Sequence, residues 1–519
     1  MLPRALFITL VAVQALPTLA DWPQWRGPNR DGVSTDTTPI ADTFPEEGLK
    51  VVWESDFIPS DHYGGHGSPV IAGERAYMAV VWHERVPSES REIDSETMQQ
   101  MNYRGVSDEL GKKMEEARLA LSPRMRGETL ENFIKEWVDQ NLDEKEKLSI
   151  GSWVASRFKQ GKTALPLEDL AKVSKRQGKP FPDGDAFRAW MAEEGLSEAT
   201  KEKLLVAVPN TIKIAKDALV CLDMNTGKEV WKFEAEGEPT GRKSSSTAAV
   251  VDDHAYFIGS THVYAVSTKD GSLAWKTKLS AKGPAASPLV AGGKLFISAG
   301  SALALSLEDG SILWEQKAAK GDTASPTWWT PSSGEPLLVI NGSKSLFGLA
   351  PESGEVLWEV EGGGASTPVV SGDWLVLYSG TKDVGLRAYK FQPEGKPTTQ
   401  WSHFWVTRRY NGSPIIHEGH VYLTCGSKHQ CVELETGKVN WSETNESTIT
   451  SPVLADGKVM VFEGNGSYLK LFKTDPASYE TVARPKVGAM GCTSPALSNG
   501  RLVVRQKDKL LCYDLRPTE

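Results

Sequence analysis

Cysteine is scarce and scattered in this chain of 519 residues. Cys221, Cys425, Cys431, Cys492 and Cys512 are too few for a disulfide scaffold, and none belongs to a CxxC or CxxCH motif. Zinc ribbons and covalently attached haem are therefore excluded. Beyond the first twenty residues no apolar run approaches the roughly 20 residues that a membrane-spanning helix needs. Positive charge is in deficit: 58 Lys and Arg face 67 Asp and Glu, a formal net charge of −9 that attracts neither nucleic acid nor an anionic membrane surface. There is no phosphate-cradling glycine loop and no Ser/His/Asp spacing of a hydrolase. Outside one segment the 3.6-residue apolar period is missing too, which excludes a helical solenoid. What is left is a chain too long for one core, since single cores stop growing at roughly 250–300 residues, and so a repeat array or several domains.

Residues 1–20 read as an export signal. Arg4 supplies a positive start, Leu6 to Leu16 an apolar stretch, and Thr18-Leu19-Ala20 small residues before Asp21. No cysteine follows that cleavage region, so the expectation is an exported chain, periplasmic or secreted, soluble and without a lipid anchor. Cys425 and Cys431 flank the turn in Thr424-Cys-Gly-Ser-Lys-His-Gln-Cys431 and form the candidate disulfide. The alternative is that both are small buried strand residues.

Aligning the chain with itself shows the repeat. Trp231, Trp275, Trp314, Trp358, Trp401 and Trp441 recur at intervals of 44, 39, 44, 43 and 40 residues, several after an acidic turn with glycine, as in Asp223-Met-Asn-Thr-Gly-Lys-Glu-Val-Trp231. A second marker, a small residue before proline, keeps the same register at Ser68, Ser287, Ser325, Thr367, Ser413, Ser451 and Ser494, with Ser246-Thr247 in the remaining unit. Each unit reads as short β-rich runs separated by glycine turns, four strands in about 40 residues, which is the signature of a propeller blade. The markers count eight blades. The last lacks a tryptophan strand of its own, and Val51-Val52-Trp53 is available to supply it and close the ring. The tryptophans fill the wedges between blades.

Residues 84–216 break the pattern inside blade 1. They are densely charged with nearly balanced signs, and helices are readable at Asp108–Leu121, Thr129–Asn141, Glu144–Phe158, Leu167–Gln177, Asp185–Glu194 and Ser197–Val206. Leu130, Phe133, Ile134 and Trp137 make one apolar stripe. The expected organisation is a signal at 1–20, a closing strand and the start of blade 1 at 21–83, a helical insertion at 84–216 and the rest of the propeller at 217–519. The fold is all-β: an eight-bladed β-propeller with an α-helical insertion in blade 1. The second-to-third strand connection of a blade and the inter-blade loops lie on one face, so the insertion borders the mouth of the central funnel.

The turn-tryptophan pattern, as in Thr226-Gly-Lys-Glu-Val-Trp231 and Thr436-Gly-Lys-Val-Asn-Trp441, resembles the PQQ-type propeller repeat. That repeat occurs in quinoprotein alcohol dehydrogenases and in the non-enzymatic outer-membrane assembly factor BamB. The start of the mature chain, Asp21-Trp-Pro-Gln-Trp-Arg-Gly-Pro-Asn-Arg-Asp-Gly-Val33, is similar to the opening of exported propellers of this kind. The resemblance covers 21–83 and 217–519, and it implies the fold more than an activity. The dehydrogenases carry an adjacent cysteine pair over the quinone, and no two cysteines are adjacent here. Their calcium ligands and catalytic Asp match no positions in this chain. The resemblance therefore implies a non-catalytic binding or scaffold protein of the cell envelope. The alternative is an oxidoreductase for alcohols or sugars that binds pyrroloquinoline quinone (PQQ) with calcium. Expected partners are an envelope protein or a small anionic or sugar ligand at the funnel face, with no nucleic acid, membrane span or haem.

The candidate site residues fall on the loops that lead into each blade. His62 and His66 could bind a metal or serve as ordinary loop histidines. Arg242 and Lys243, and Arg408, Arg409, Tyr410 and Asn411, would gather positive potential for an anionic ligand, or be solvated and ion-paired loop charge. Trp328 and Trp329 follow Ser325-Pro326. Adjacent strand residues face opposite sides, so at most one ring reaches the funnel, and blade packing is the other use for both. Asp322 is the candidate base.

Overall fold

The computed structural model describes residues 21–60, 66–239, 242, 246–280, 284–321, 323–381, 383–446 and 450–518. The expected export signal at 1–20, and with it His62, Lys243 and Asp322, lies outside the described residues.

Eight antiparallel sheets follow one another around a central axis. Strand β1 (Lys50–Glu54) belongs to the last of them, and blade 1 is formed by β2 (Val70–Ala72), β3 (Arg75–Pro87), β4 (Thr211–Asp223) and β5 (Glu229–Glu234). Blades 2 to 7 span 249–278, 289–316, 327–361, 369–403, 415–444 and 453–483. Blade 8 takes three strands from 496–514 and its outermost from β1, which pairs antiparallel with Leu510–Asp514. First and last segments of the propeller thus share one sheet, and the ring has no open edge. In each blade the second and third strands are buried almost throughout, as in Lys294–Ser298 and Ala302–Ser306. The outermost alternates, as in Glu229–Glu234, where Trp231 turns inward and its charged neighbours face water.

The tryptophan marker has a direct structural cause. The indole Nε1 of Trp53, Trp231, Trp275, Trp314, Trp401 and Trp441 each donates to a backbone carbonyl in the turn of the next blade, at 2.8–3.0 Å. For all of these but Trp441, the turn glycine of that next blade lies against the ring. At Gly271, with φ +75°, an added Cβ would stand 2.6 Å from Trp231. Only a residue without a side chain, tolerant of left-handed backbone, allows the approach. Directly across the strand pair each indole meets a small residue: Cys512 for Trp53, Cys221 for Trp231, Ala265 for Trp275 and Cys431 for Trp441. Three of the five cysteines are therefore spacers beneath wedge tryptophans.

This placement corrects the expected disulfide. Cys425 and Cys431 are unbonded. Cys431 shares a face with Tyr422 and packs between blades 6 and 7. Cys425 lies on the opposite face with Leu423, between blades 5 and 6. One blade stands between the two thiols.

Blade 1 carries the helices. Strands β3 and β4 run on as a long hairpin, paired from Arg75–Asp223 to Pro87–Thr211. Between them lie α1 (Ser95–Gln100), α2 (Asp108–Ala120), α3 (Glu128–Asn141), α4 (Glu144–Gln160), α5 (Leu167–Arg176), α6 (Gly184–Glu193) and α7 (Glu198–Ala207). Five of the seven open with an Asp or Ser side chain accepting a backbone N–H of the first turn, and α4 with a full capping box. The helices have a core of their own, including Met114, Val154, Phe158, Leu170, Phe187 and Leu204. Arg85 of β3 and Lys213 of β4 clasp Asp94 and Glu96 where the hairpin enters this subdomain. Ile214 and Ala215 of β4 also pair with Glu238–Pro239 of the loop to blade 2, so the hairpin rises from the face that bears the inter-blade loops.

Candidate functional site

The small residue before each proline does work that no single blade reveals. The backbone N–H of Ser68 donates to Thr247 Oγ1 at 2.9 Å, Thr247 N–H to Ser287 Oγ at 3.0 Å, and Ser287 N–H to Ser325 Oγ at 3.1 Å. Ser325 N–H continues to Thr367 Oγ1 at 2.8 Å, Thr367 to Ser413 at 2.9 Å, Ser413 to Ser451 at 3.1 Å and Ser451 to Ser494 at 3.2 Å. Ser494 N–H returns to Ser68 Oγ at 2.9 Å. Eight hydroxyls, one per blade, close a hydrogen-bonded circle around the axis. Proline suits the following position in seven of the blades, because the innermost strand faces the channel and an N–H there would have no partner.

Above this circle lies a cavity of about 230 Å³ to which all eight blades contribute, among them His66, Thr323, Ala365, Arg409, Asn411 and Cys492. Below it the channel is crossed by residues 21–34, which no reading of the repeats had placed. Trp22 bridges to Ile71 of blade 1, Pro23 accepts from Val250 of blade 2, and Gly32 and Ser34 hydrogen-bond Leu454 of blade 7. Trp25 reaches the cavity from below. Arg30 donates to the Pro288 and Ser287 carbonyls of blade 3 at 2.7 and 3.3 Å, and Arg26 to the Pro414 carbonyl of blade 6. Both guanidinium side chains are buried, at 2% and 3% exposure. Burial lowers Arg26 to about 10, opposed by the charge of Asp31. Burial, aided by the charge of Arg26, lowers Arg30 to about 9. Asp31 is itself raised by burial, against the Val33 N–H and the Arg26 charge that favour its ionised form. The signal for this strap was present as an unusual density of Trp, Gly and Arg outside any repeat unit, but nothing in it specifies which blades it touches.

The expected site residues separate. His66, Arg409 and Asn411 line the cavity, with His66 Nδ1 2.9 Å from the Gly491 carbonyl. Arg408, one residue away, is exposed and outside the lining. Tyr410 points into the blade, its hydroxyl donating to the Trp405 carbonyl and accepting from Thr407 N–H at 3.0 and 2.9 Å. Arg242 is buried and donates to the Ser260 and Ala299 carbonyls, both at 3.2 Å, so it braces blades 2 and 3. Trp329 packs edge-on against Trp358 and Phe391, and Trp328 against Phe296 and Gly292. Neither ring lines the channel, which corrects their assignment as stacking partners. Their strand lies flat in the sheet, so the two faces of Thr327–Trp329 both meet neighbouring blades. Cys492 joins the lining with φ +74°. Burial raises its thiol, with the charge of Arg409 acting the other way.

The residues do not fit PQQ. No two cysteines are adjacent, and among the described residues Trp25 is the one indole in the lining and no three His, Cys, Asp or Glu side chains gather as a metal site. The cavity is also smaller than the roughly 300–1,000 Å³ usual for small-molecule sites.

Tryptophan wedges, turn glycines and a single closed ring define a PQQ-like repeat β-propeller. The family model described as outer membrane protein assembly factor BamB matches residues 215–361 and 298–516, and the chain belongs to that family. It is 28% identical over 375 residues to the outer membrane protein assembly factor BamB of Salmonella typhimurium, covering 66% of this chain and 91% of that one. Among solved structures it is similar to BamB from Moraxella catarrhalis, with a TM-score of 0.44, 15% identity, and coverage of 57% of this chain and 91% of that one. It is also similar to a europium-containing methanol dehydrogenase, with a TM-score of 0.42, 11% identity, and coverage of 88% and 90%. The family match begins after the helical subdomain, and the strap lies outside it.

Proposed function

We propose that this chain is an exported, non-catalytic scaffold of the cell envelope that holds protein partners on its funnel face. The observation that carries this reading is the blocked funnel. With the strap beneath and the hydroxyl circle at its waist, the cavity of about 230 Å³ has room for a small ligand and not for a cofactor with its substrate. Recognition then falls to the rim and the helical subdomain, which bear exposed apolar side chains such as Phe404, Val406 and, on α7, Val206. Membership of the family of an assembly factor supports the same reading. Among the described residues no helix is long and apolar enough to cross a membrane.

Two measurements test it. Titrating the purified protein with PQQ, with and without calcium, should give neither saturable binding at micromolar cofactor nor dye-linked oxidation of alcohols or sugars; turnover would overturn the scaffold reading. Photo-crosslinkers at Phe404 and Val206, in the cells that make the protein, should trap envelope proteins that a crosslinker at the outer-strand residue Lys276 does not. Equal trapping at all three positions would remove the funnel face from the interaction.

A further inference from the structure

The cavity above the hydroxyl circle mixes apolar walls, Trp25, Ala285, Ala286 and Ala365, with a cluster of hydrogen-bond donors from the ring hydroxyls, Asn411 and Arg409. Each ring hydroxyl has accepted one backbone N–H and retains one O–H, and none of the eight donates to another protein group. Six of them line the cavity. Among the described residues the Arg409 guanidinium at its wall has no ion pair, and the lining holds no carboxylate. Beneath the floor the strap holds Arg26 and Arg30 with one carboxylate, Asp31, for two cations. Arg26 Nε and Nη1 and Arg30 Nε have no hydrogen-bond partner although both side chains are at least nine-tenths buried.

Buried charge is costly unless it is paired, and donors gathered in a concavity attract whatever supplies acceptors. Here three guanidinium groups converge on one narrow funnel in a protein whose net charge is −9, so the local potential opposes the global one. A cavity of about 230 Å³ suits a compact group of a few heavy atoms. We infer that the funnel is a binding site for a single small oxyanion, a tetrahedral ion or a carboxylate, held by the ring hydroxyls and Arg409 over the two buried arginines of the strap. Oxyanions match this donor set because each oxygen accepts two or more hydrogen bonds, and charge-assisted bonds are the strong ones. The inference stands whether or not the scaffold reading holds, because it rests on the lining and the strap beneath it, not on a partner.

Calorimetric titration of the full mature protein with phosphate, sulfate and acetate, at constant ionic strength in chloride, should show one saturable equivalent. Phosphate or sulfate binding without acetate identifies a tetrahedral ion, and acetate without the other two a carboxylate. Arg409→Gln should weaken binding by about tenfold to a hundredfold, the loss of one hydrogen bond to a charged group. Asn411→Asp, which places a negative charge on the same wall, should weaken it as well, and neither change touches a buried bond of the fold. Crystals soaked in selenate should show anomalous density in the funnel. No saturable binding of any of the three anions up to tens of millimolar would overturn the inference. So would binding unchanged in both variants, or selenate located only elsewhere.

Discussion

Replacing Ser413 by alanine tests the hydroxyl circle at one of its driest points. Ser413 Oγ accepts the Thr367 N–H at 2.9 Å, and both residues are fully buried, at 0% exposure. The Ser413 N–H keeps its own bond to Ser451, so one interaction of the circle is cut and its neighbours remain. Water cannot reach the Thr367 amide, and an unsatisfied buried donor costs about 1–3 kcal/mol. The seam between blades 5 and 6 still has its apolar contacts, among them Val369, Tyr378 and Leu423, so the ring should stay closed and the damage should be local. Exchange of the Thr367 amide through local opening should then rise by about 5- to 150-fold, with a matching fall in the denaturation midpoint. Ser353→Ala is the control: that hydroxyl is exposed and accepts only the Glu355 N–H at 3.3 Å, so its loss should stay within about 0.5 kcal/mol. If the two variants share one midpoint and Thr367 exchanges as in the parent, the circle contributes nothing to holding the blades, and the small-residue marker needs another explanation.

Gly271→Ala should be among the most damaging single methyl additions. It forces a side chain into left-handed backbone, costing about 1–2 kcal/mol, and presses on Trp231, which adds about 1–3 kcal/mol more; a thermal midpoint equal to the parent's would contradict the wedge geometry. Acid should weaken the seam between blades 6 and 7. Burial alone would raise Glu463, but bonds from His429 at 2.7 Å and Arg484 at 2.9 Å hold its carboxyl below the ordinary 4.5. Its folded value lies below the unfolded one, so its stabilisation is full above about pH 4.5 and is lost as pH falls below that and through the lower folded value. Glu463→Gln should therefore be less stable at neutral pH and flatter on the acid limb of midpoint against pH; superimposable acid limbs would refute the assignment. Native protein should yield one thiol to a maleimide, Cys492, and all five only after unfolding, with reductant leaving the midpoint unchanged; a reductant-sensitive midpoint would restore a disulfide.

The amino-acid sequence determined the architecture because its markers are local. A turn glycine, a tryptophan a few residues later and a small residue before proline each encode a short-range geometry that repeats once per blade, so their register fixes strand count, blade count and the strand that closes the ring. The helices of the insertion were legible for the same reason, through caps and a 3.6-residue stripe, and the one missed, α1, is barely two turns long. The site was legible only as a set of loops. Arg408 and Arg409 are adjacent and chemically identical, yet one faces water and the other the funnel, because the direction of a loop side chain is set by what the neighbouring blades leave open. Trp328 and Trp329 went to packing because two blades flank their strand. Cys425 and Cys431, six positions apart, are separated by the thickness of a sheet. The circle of hydroxyls and the strap with Arg26 and Arg30 exist only in three dimensions. The bonds that close the circle and tie the strap to the blades join residues far apart in the chain, and no local pattern carries a contact whose partner is chosen by closure of the ring.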